Sequence, residues 1–126
     1  MWMLKAAVAV VSLLLSCAAL AAEVKVTVLY SQPKNSEEFD KYYFGKHMPM
    51  LYAVKEIKKV EVARPGPGPN GAPPPYYLVT ELWFESPEAL KAVAATPEWK
   101  AIVADVPNFA PPGTATILTS TVEPRK

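Results

Sequence analysis

The segment Tyr76 to Glu85, YYLVTELWFE, constrains the fold more than any other part of the chain. Side chains of a strand alternate between its two faces. Tyr77, Val79 and Trp83 therefore share one face, and Leu78, Leu82 and Phe84 share the other. Both faces are apolar. Antiparallel sheets usually cover one face and leave the other to solvent, so this strand predicts cover on both sides. Helices can supply one cover. A second subunit, packed sheet against sheet, is expected to supply the other, because a large uncovered apolar patch is a site of association.

The rest of the chain supplies the partners of that strand. EVKVTVLYS, Glu23 to Ser31, alternates and is β-branched, with Val24, Val26, Val28 and Tyr30 on one face. NSEEFDKYYFGKHMPMLYAV follows, and Asn35 with Glu38, or Ser36 itself, can cap a helix. Phe39, Tyr43, Lys46, His47 and Met50 then fall on one face of that helix. Gly45 and Pro49 are expected to distort it or end it near Lys46 to Met48. KEIKKVEVARP reads as a second strand ending at Arg64. PGPGPNGAPPP, Pro65 to Pro75, can form neither ladder nor helix and reads as a long hairpin loop. Ser86-Pro87 and Thr96-Pro97 are two helix starts, each a capping hydroxyl followed by a proline. They predict helical pieces to about Ala94 and Ala104. TATILTSTVE, Thr114 to Glu123, is the last strand. The order β-α-β-β-α-β predicts an α+β, ferredoxin-like sandwich. With the second subunit it becomes a dimeric α/β barrel.

The first 22 of the 126 residues read differently. Lys5 is their only charge, an apolar run follows, and the segment ends in small residues around Ala19-Leu20-Ala21. That pattern predicts a secretory signal peptide over 1–22, a single domain over 23–126 and an exported, periplasmic product. An alternative is a lipoprotein, since LLSC places Cys17 where a lipid-bearing cysteine would stand. Without Lys5, the 13 basic residues become 12, matching the 12 acidic ones. A domain of zero net charge has no basic field for nucleic acid or an anionic membrane. Cys17 is the only cysteine, so the exported domain would have no disulfide and would rely on core burial or association.

The chemistry-bearing motifs are few. One histidine and, after the signal, no cysteine leave no ligand set for a structural zinc. No H-x-x-x-H or D-x-D spacing suggests another metal, and no metal or cofactor is expected. PGPGPNG has glycines, but its prolines lack the amide donors that a phosphate cradle uses. No G-x-S-x-G elbow occurs.

FDKYYFGKHMPML, YYLVTELWFESPEAL and DVPNFA together resemble the EthD family of the dimeric α/β-barrel superfamily. The resemblance extends over nearly all of Val26 to Thr121. It implies a small homodimer with a cleft between sheet and helices, commonly labelled an oxidoreductase or reductase. Relatives in the superfamily include cofactor-free monooxygenases, lactone isomerases and polyketide cyclases. The export signal and the proline-rich loop depart from the family's usual pattern.

The family's helix-end histidine maps onto His47. Imidazole titrates near neutrality and can take or give a proton there. Phe39 and Tyr43, two turns and one turn earlier, would give it an apolar wall and a phenol. Tyr30 and Trp83 are candidate opposite walls if they face the helices. The expected site is thus His47 as base, Tyr43 or Tyr30 as oxyanion donor, and Phe39, Tyr30 and Trp83 around a small apolar or aromatic molecule. Two other readings stand beside it. His47 can be a helix-end residue bonded to the last carbonyls, and the fold can serve as a carrier without catalysis. Asp105 and Asn108 read as turn residues around Pro107, or as a gate to the cleft.

Overall fold

The computed structural model describes residues 22–126. Cys17 and positions 1–21 of the expected leader lie outside the described residues. Four strands, β1 (Val24–Tyr30), β2 (Lys59–Ala63), β3 (Leu78–Phe84) and β4 (Ala115–Thr121), form one sheet in the order β2-β3-β1-β4. Every neighbouring pair is antiparallel. This is the expected ferredoxin-like topology.

Helix α1 (Ser36–Tyr42) begins at Asn35, whose side chain accepts from the Glu38 amide at 3.0 Å. Gly45 and Pro49 do not end the helical course. A π-helical turn, Tyr43–His47, carries it into α2 (Met48–Tyr52). The Met48 amide bonds the Tyr43 carbonyl, five residues back. Proline in a helix clashes with the carbonyl four residues before it, and a π turn widens the coil where that clash would fall. The inserted residue rotates the face expected from simple helical spacing. Phe39, Tyr43, His47, Met48 and Leu51 are buried, whereas Lys46 is exposed. Helices α3 (Pro87–Ala94) and α4 (Pro97–Asp105) start as expected, with Ser86 accepting from Ala89 and Thr96 from Trp99.

The helices cover one face of the sheet. Val24, Val26, Tyr30, Leu78, Leu82 and Phe84 are buried beneath them. Tyr30, Phe39, Tyr43 and Phe109 form a cluster in which every pair of ring centres lies 5.4 to 5.6 Å apart. Such pairs add roughly 0.5–1.5 kcal/mol each beyond the area they bury. The cluster pins the π turn and the 3-10 turn Val106–Asn108 to the end of β1.

The opposite sheet face is divided by register. One row across it is Ala63, Val79, Leu29 and Thr116. The next is Glu61, Glu81, Thr27 and Leu118, and the third is Lys59, Trp83, Lys25 and Ser120. Lys25 and Lys59 lie over the Trp83 ring and pair with Glu81 and Glu61. One end of this face is therefore apolar and the other is a charge-paired lattice around an indole.

Candidate active site

The chain uses its irregular segments to build the site. The π turn delivers His47 and the C-terminus of α4 delivers Asp105. The His47 Nδ1 stands 2.9 Å from the Asp105 Oδ2. The other carboxylate oxygen accepts from the Tyr42 hydroxyl at 2.5 Å and from the Asn108 amide at 3.0 Å. With His47 only 2% exposed, burial is the main influence on its pKa and pushes it below the ordinary value, while the bond to Asp105 pulls the other way. The imidazole is then neutral at neutral pH. Burial raises the Asp105 carboxyl, but hydrogen bonds from Tyr42, Asn108 and His47 outweigh it and hold the pKa below its usual value. A charged Asp105 accepts a hydrogen bond from the Nδ1–H, which fixes the tautomer and leaves Nε2 as an unprotonated acceptor.

His47 borders a cleft of about 310 Å³ between the β1–β4 half of the sheet, α4 and the loop after it. Its floor is Val26, Val28, Tyr30, Thr80 and Leu82, and Trp99 and Ile102 form the wall from α4. Val103 and Ile117, 51% and 57% exposed, stand at the mouth. Gly113 adopts φ +85°, a left-handed conformation that glycine takes without strain. That turn leads into β4, whose Ala115 and Ile117 complete the lining. Among the described residues, no lysine, arginine, aspartate or glutamate lines this cleft. Nor do the described residues contain a group of three His, Cys, Asp or Glu placed to hold a metal.

Of the residues expected at the site, His47 and Tyr30 line the cleft. Tyr43 does not. It is fully buried, and its hydroxyl is spent on Thr80, which does line the cleft. Burial is the largest cause that pushes the Tyr43 phenol up to about 12. Phe39 lies on the far side of the aromatic cluster and reaches a separate hollow with Lys34 and Phe109. Trp83 corrects the expectation outright. It sits in register with Lys25 and Lys59 on the face turned away from the helices, and the tryptophan of the cleft is Trp99. Sequence reasoning also missed Thr80, and it read Asp105 only as a turn or gate residue.

Fold and site together define a small ferredoxin-like α+β protein with a largely apolar cleft bordered by one histidine. The chain belongs to the EthD family: the EthD domain model matches residues 31–113. It is 32% identical over 95 residues to an uncharacterized 11.0 kDa protein of the thcB-thcC intergenic region of Rhodococcus erythropolis, covering 75% of this chain and 91% of that one. The crystal structure of an EthD family protein from Bacillus halodurans matches with a TM-score of 0.73 and 29% identity, over 80% of this chain and 99% of the other. Two enzymes share the fold alone. One is SnoaB, a cofactor-independent oxygenase from Streptomyces nogalater, at TM-score 0.61 and 12% identity over 83% of this chain and 97% of the other. The other is the hydroxynitrile lyase of Passiflora edulis, at 0.65 and 11% over the same shares.

Proposed function

We propose that this protein is an exported proton-transfer enzyme, in the broad sense in which EthD proteins are called oxidoreductases, acting on a small apolar or aromatic molecule. One observation carries the reading: a neutral imidazole, held through Nδ1 by the half-buried Asp105 carboxylate, lines a largely apolar cleft. In the step proposed, a substrate C–H or O–H bond breaks, an N–H bond forms at His47 Nε2, and the electron pair stays on the substrate. Asp105 stabilises the imidazolium that results. Thr80, backed by the Tyr43 hydroxyl, and Tyr30 are the hydroxyls nearest the developing oxyanion. Return of the proton at another atom is an isomerisation. Capture of the carbanion by dioxygen is the oxidative outcome, and it fits the cofactor-independent oxygenase that shares the fold.

We also place the protein as a homodimer, with the apolar row Ala63, Val79 and Leu29 and the adjoining Leu118 against a second copy. The exposed Leu118 side chain and the apolar end of that sheet face support this arrangement. Export and a leader over 1–22 remain part of the proposal on the composition of that segment, and acylation at Cys17 is its alternative.

The test is deuterium exchange from D2O into neutral carbon acids such as 2-tetralone, followed by NMR. Exchange above background that His47→Ala abolishes is expected. Exchange unaffected by that substitution removes the catalytic role. A second reading, a carrier without turnover, is favoured by a lining that, among the described residues, has no lysine, arginine, aspartate or glutamate; tight binding with no exchange would establish it.

A further inference from the structure

The charge distribution around the cleft carries an inference about the form in which its ligand enters. We propose that the cleft selects the uncharged, proton-donating form of a bicyclic-sized ligand and rejects carboxylates and other anions of the same shape. The proposal deepens the reading above and rests on His47 being the acceptor in that cleft.

Three observations carry it. First, the lining holds no formal cation among the described residues, so an anion entering it would lose its hydration without gaining a partner. Second, the Asp105 carboxylate is hydrogen-bonded to the imidazole through Nδ1 at 2.9 Å. Its negative charge repels an anion placed at Nε2, and it favours a donor that shares a proton with that nitrogen. Third, among the described residues the groups packed around His47 offer no compensating positive charge. Asp105 comes from α4, Tyr43 stacks on the ring from the same helical course at 5.6 Å, and Tyr42 binds Asp105. Phe109 closes the other side at 4.6 Å, and Thr80 and Tyr30 come from the sheet. The one lysine of the π turn, Lys46, is exposed and lies over the outer Tyr42 ring, and it does not line the cleft. The cleft volume of about 310 Å³ stands at the small end of ligand sites, which sets the size.

A set of three probes on one ring system separates the contributions: 2-naphthol, a neutral donor; 2-methoxynaphthalene, neutral without a donor; and 2-naphthoate, an anion. Calorimetric titration of the wild-type chain at pH 7 is expected to rank them in that order, with naphthol bound about tenfold or more tightly over naphthoate. His47→Gln should erase the preference of naphthol over the methyl ether. Raising the pH until naphthol ionises should abolish its binding. Naphthoate binding as tightly as naphthol, or none of the three binding, overturns the proposal. Turnover plays no part in this readout. Charge selection without any deuterium exchange ends the catalytic reading and leaves this one standing.

Discussion

His47 and Asp105 are separated by 58 positions of chain and joined by one hydrogen bond of 2.9 Å. Two unlike devices bring them together. The π turn swings the imidazole inward, and the helix-to-3-10 transition at Val106 turns the carboxylate toward it. Neither would be placed by a regular helix alone.

Because the chain has a single histidine, its titration is read directly from one set of imidazole resonances. The wild-type pKa should fall below 6.5, the ordinary value, because burial outweighs the carboxylate. Asp105→Asn removes the group that raises it, so the pKa should drop further. Exchange of a carbon acid should fall on the order of 100-fold, as expected when a general base loses its orientation. A rise in the Asn variant would contradict the pairing.

Stability should depend on pH with a plateau from about 7 to about 10. His47 has a folded pKa below its unfolded value, so its contribution is complete above pH 6.5 and is lost as pH falls through the folded pKa. Asp105 is depressed as well, which adds a second loss below its ordinary 3.8. Tyr43 is shifted the other way, so its contribution is complete below 10.0 and lost as pH rises through about 12. Urea midpoints measured across this range check the shape. His47→Gln should flatten the fall that begins just below pH 6.5, and an unchanged slope would refute the assignment.

Much of the fold could be read from the residues, as could the place of His47 and Tyr30 in the cleft, and the reason the rest of the site could not is physical. Alternation in β1 and β3 identifies which side chains share a face, and the capping pairs Ser86-Pro87 and Thr96-Pro97 set two helix starts. Alternation has no sign, however. In β3 the set Tyr77, Val79, Trp83 is as apolar as Leu78, Leu82, Phe84, so nothing local says which set meets the helices. Trp83 was therefore a reasonable wall and the wrong one. Gly45 and Pro49 announce a break in the α pattern, but breakers do not say whether a helix stops or gains a residue. The pairing of Asp105 is hidden for a third reason: a carboxylate at a helix end satisfies local turn rules, and its partner lies far away in sequence.

The buried bond between Tyr43 and Thr80 makes an asymmetric prediction. Thr80→Val leaves the phenol with no partner in the core, which costs about 1–3 kcal/mol. Tyr43→Phe leaves only the threonine hydroxyl, which borders the cleft and can be met by water, so it should cost less. The double variant should be more stable than the sum of the two losses implies. Denaturant unfolding of the four proteins decides this, and strict additivity would show that the two hydroxyls do not depend on each other.

The proposed sheet-to-sheet dimer is checked by light scattering on the chain from Glu23 onward, 104 residues. The wild-type protein should have twice the monomer mass at micromolar concentration. Leu118 is 48% exposed on the uncovered face, so Leu118→Glu loses little within its own protomer. It should halve the measured mass and leave the circular dichroism spectrum unchanged. A wild-type monomer would end the dimer proposal.

The two described tryptophans report on opposite faces of the sheet, which makes the position of the cleft measurable by fluorescence. Trp99 forms part of the cleft wall and packs edge-on against Phe84 at 5.9 Å. Trp83 lies under Lys25 and Lys59 on the far side, with ammonium-to-ring distances of 5.6 and 4.8 Å. A ligand that absorbs near 350 nm and occupies the cleft should therefore quench Trp99 more strongly than Trp83, since energy transfer falls steeply with distance. Trp83→Phe should keep most of the ligand-induced quenching, whereas Trp99→Phe should lose most of it. The added salt that screens exposed lysines should shift the emission of Trp83 and leave Trp99 as it was. Equal quenching in both variants would mean that the ligand does not sit between α4 and the sheet, and the cleft bordered by His47 would lose its claim to be the site.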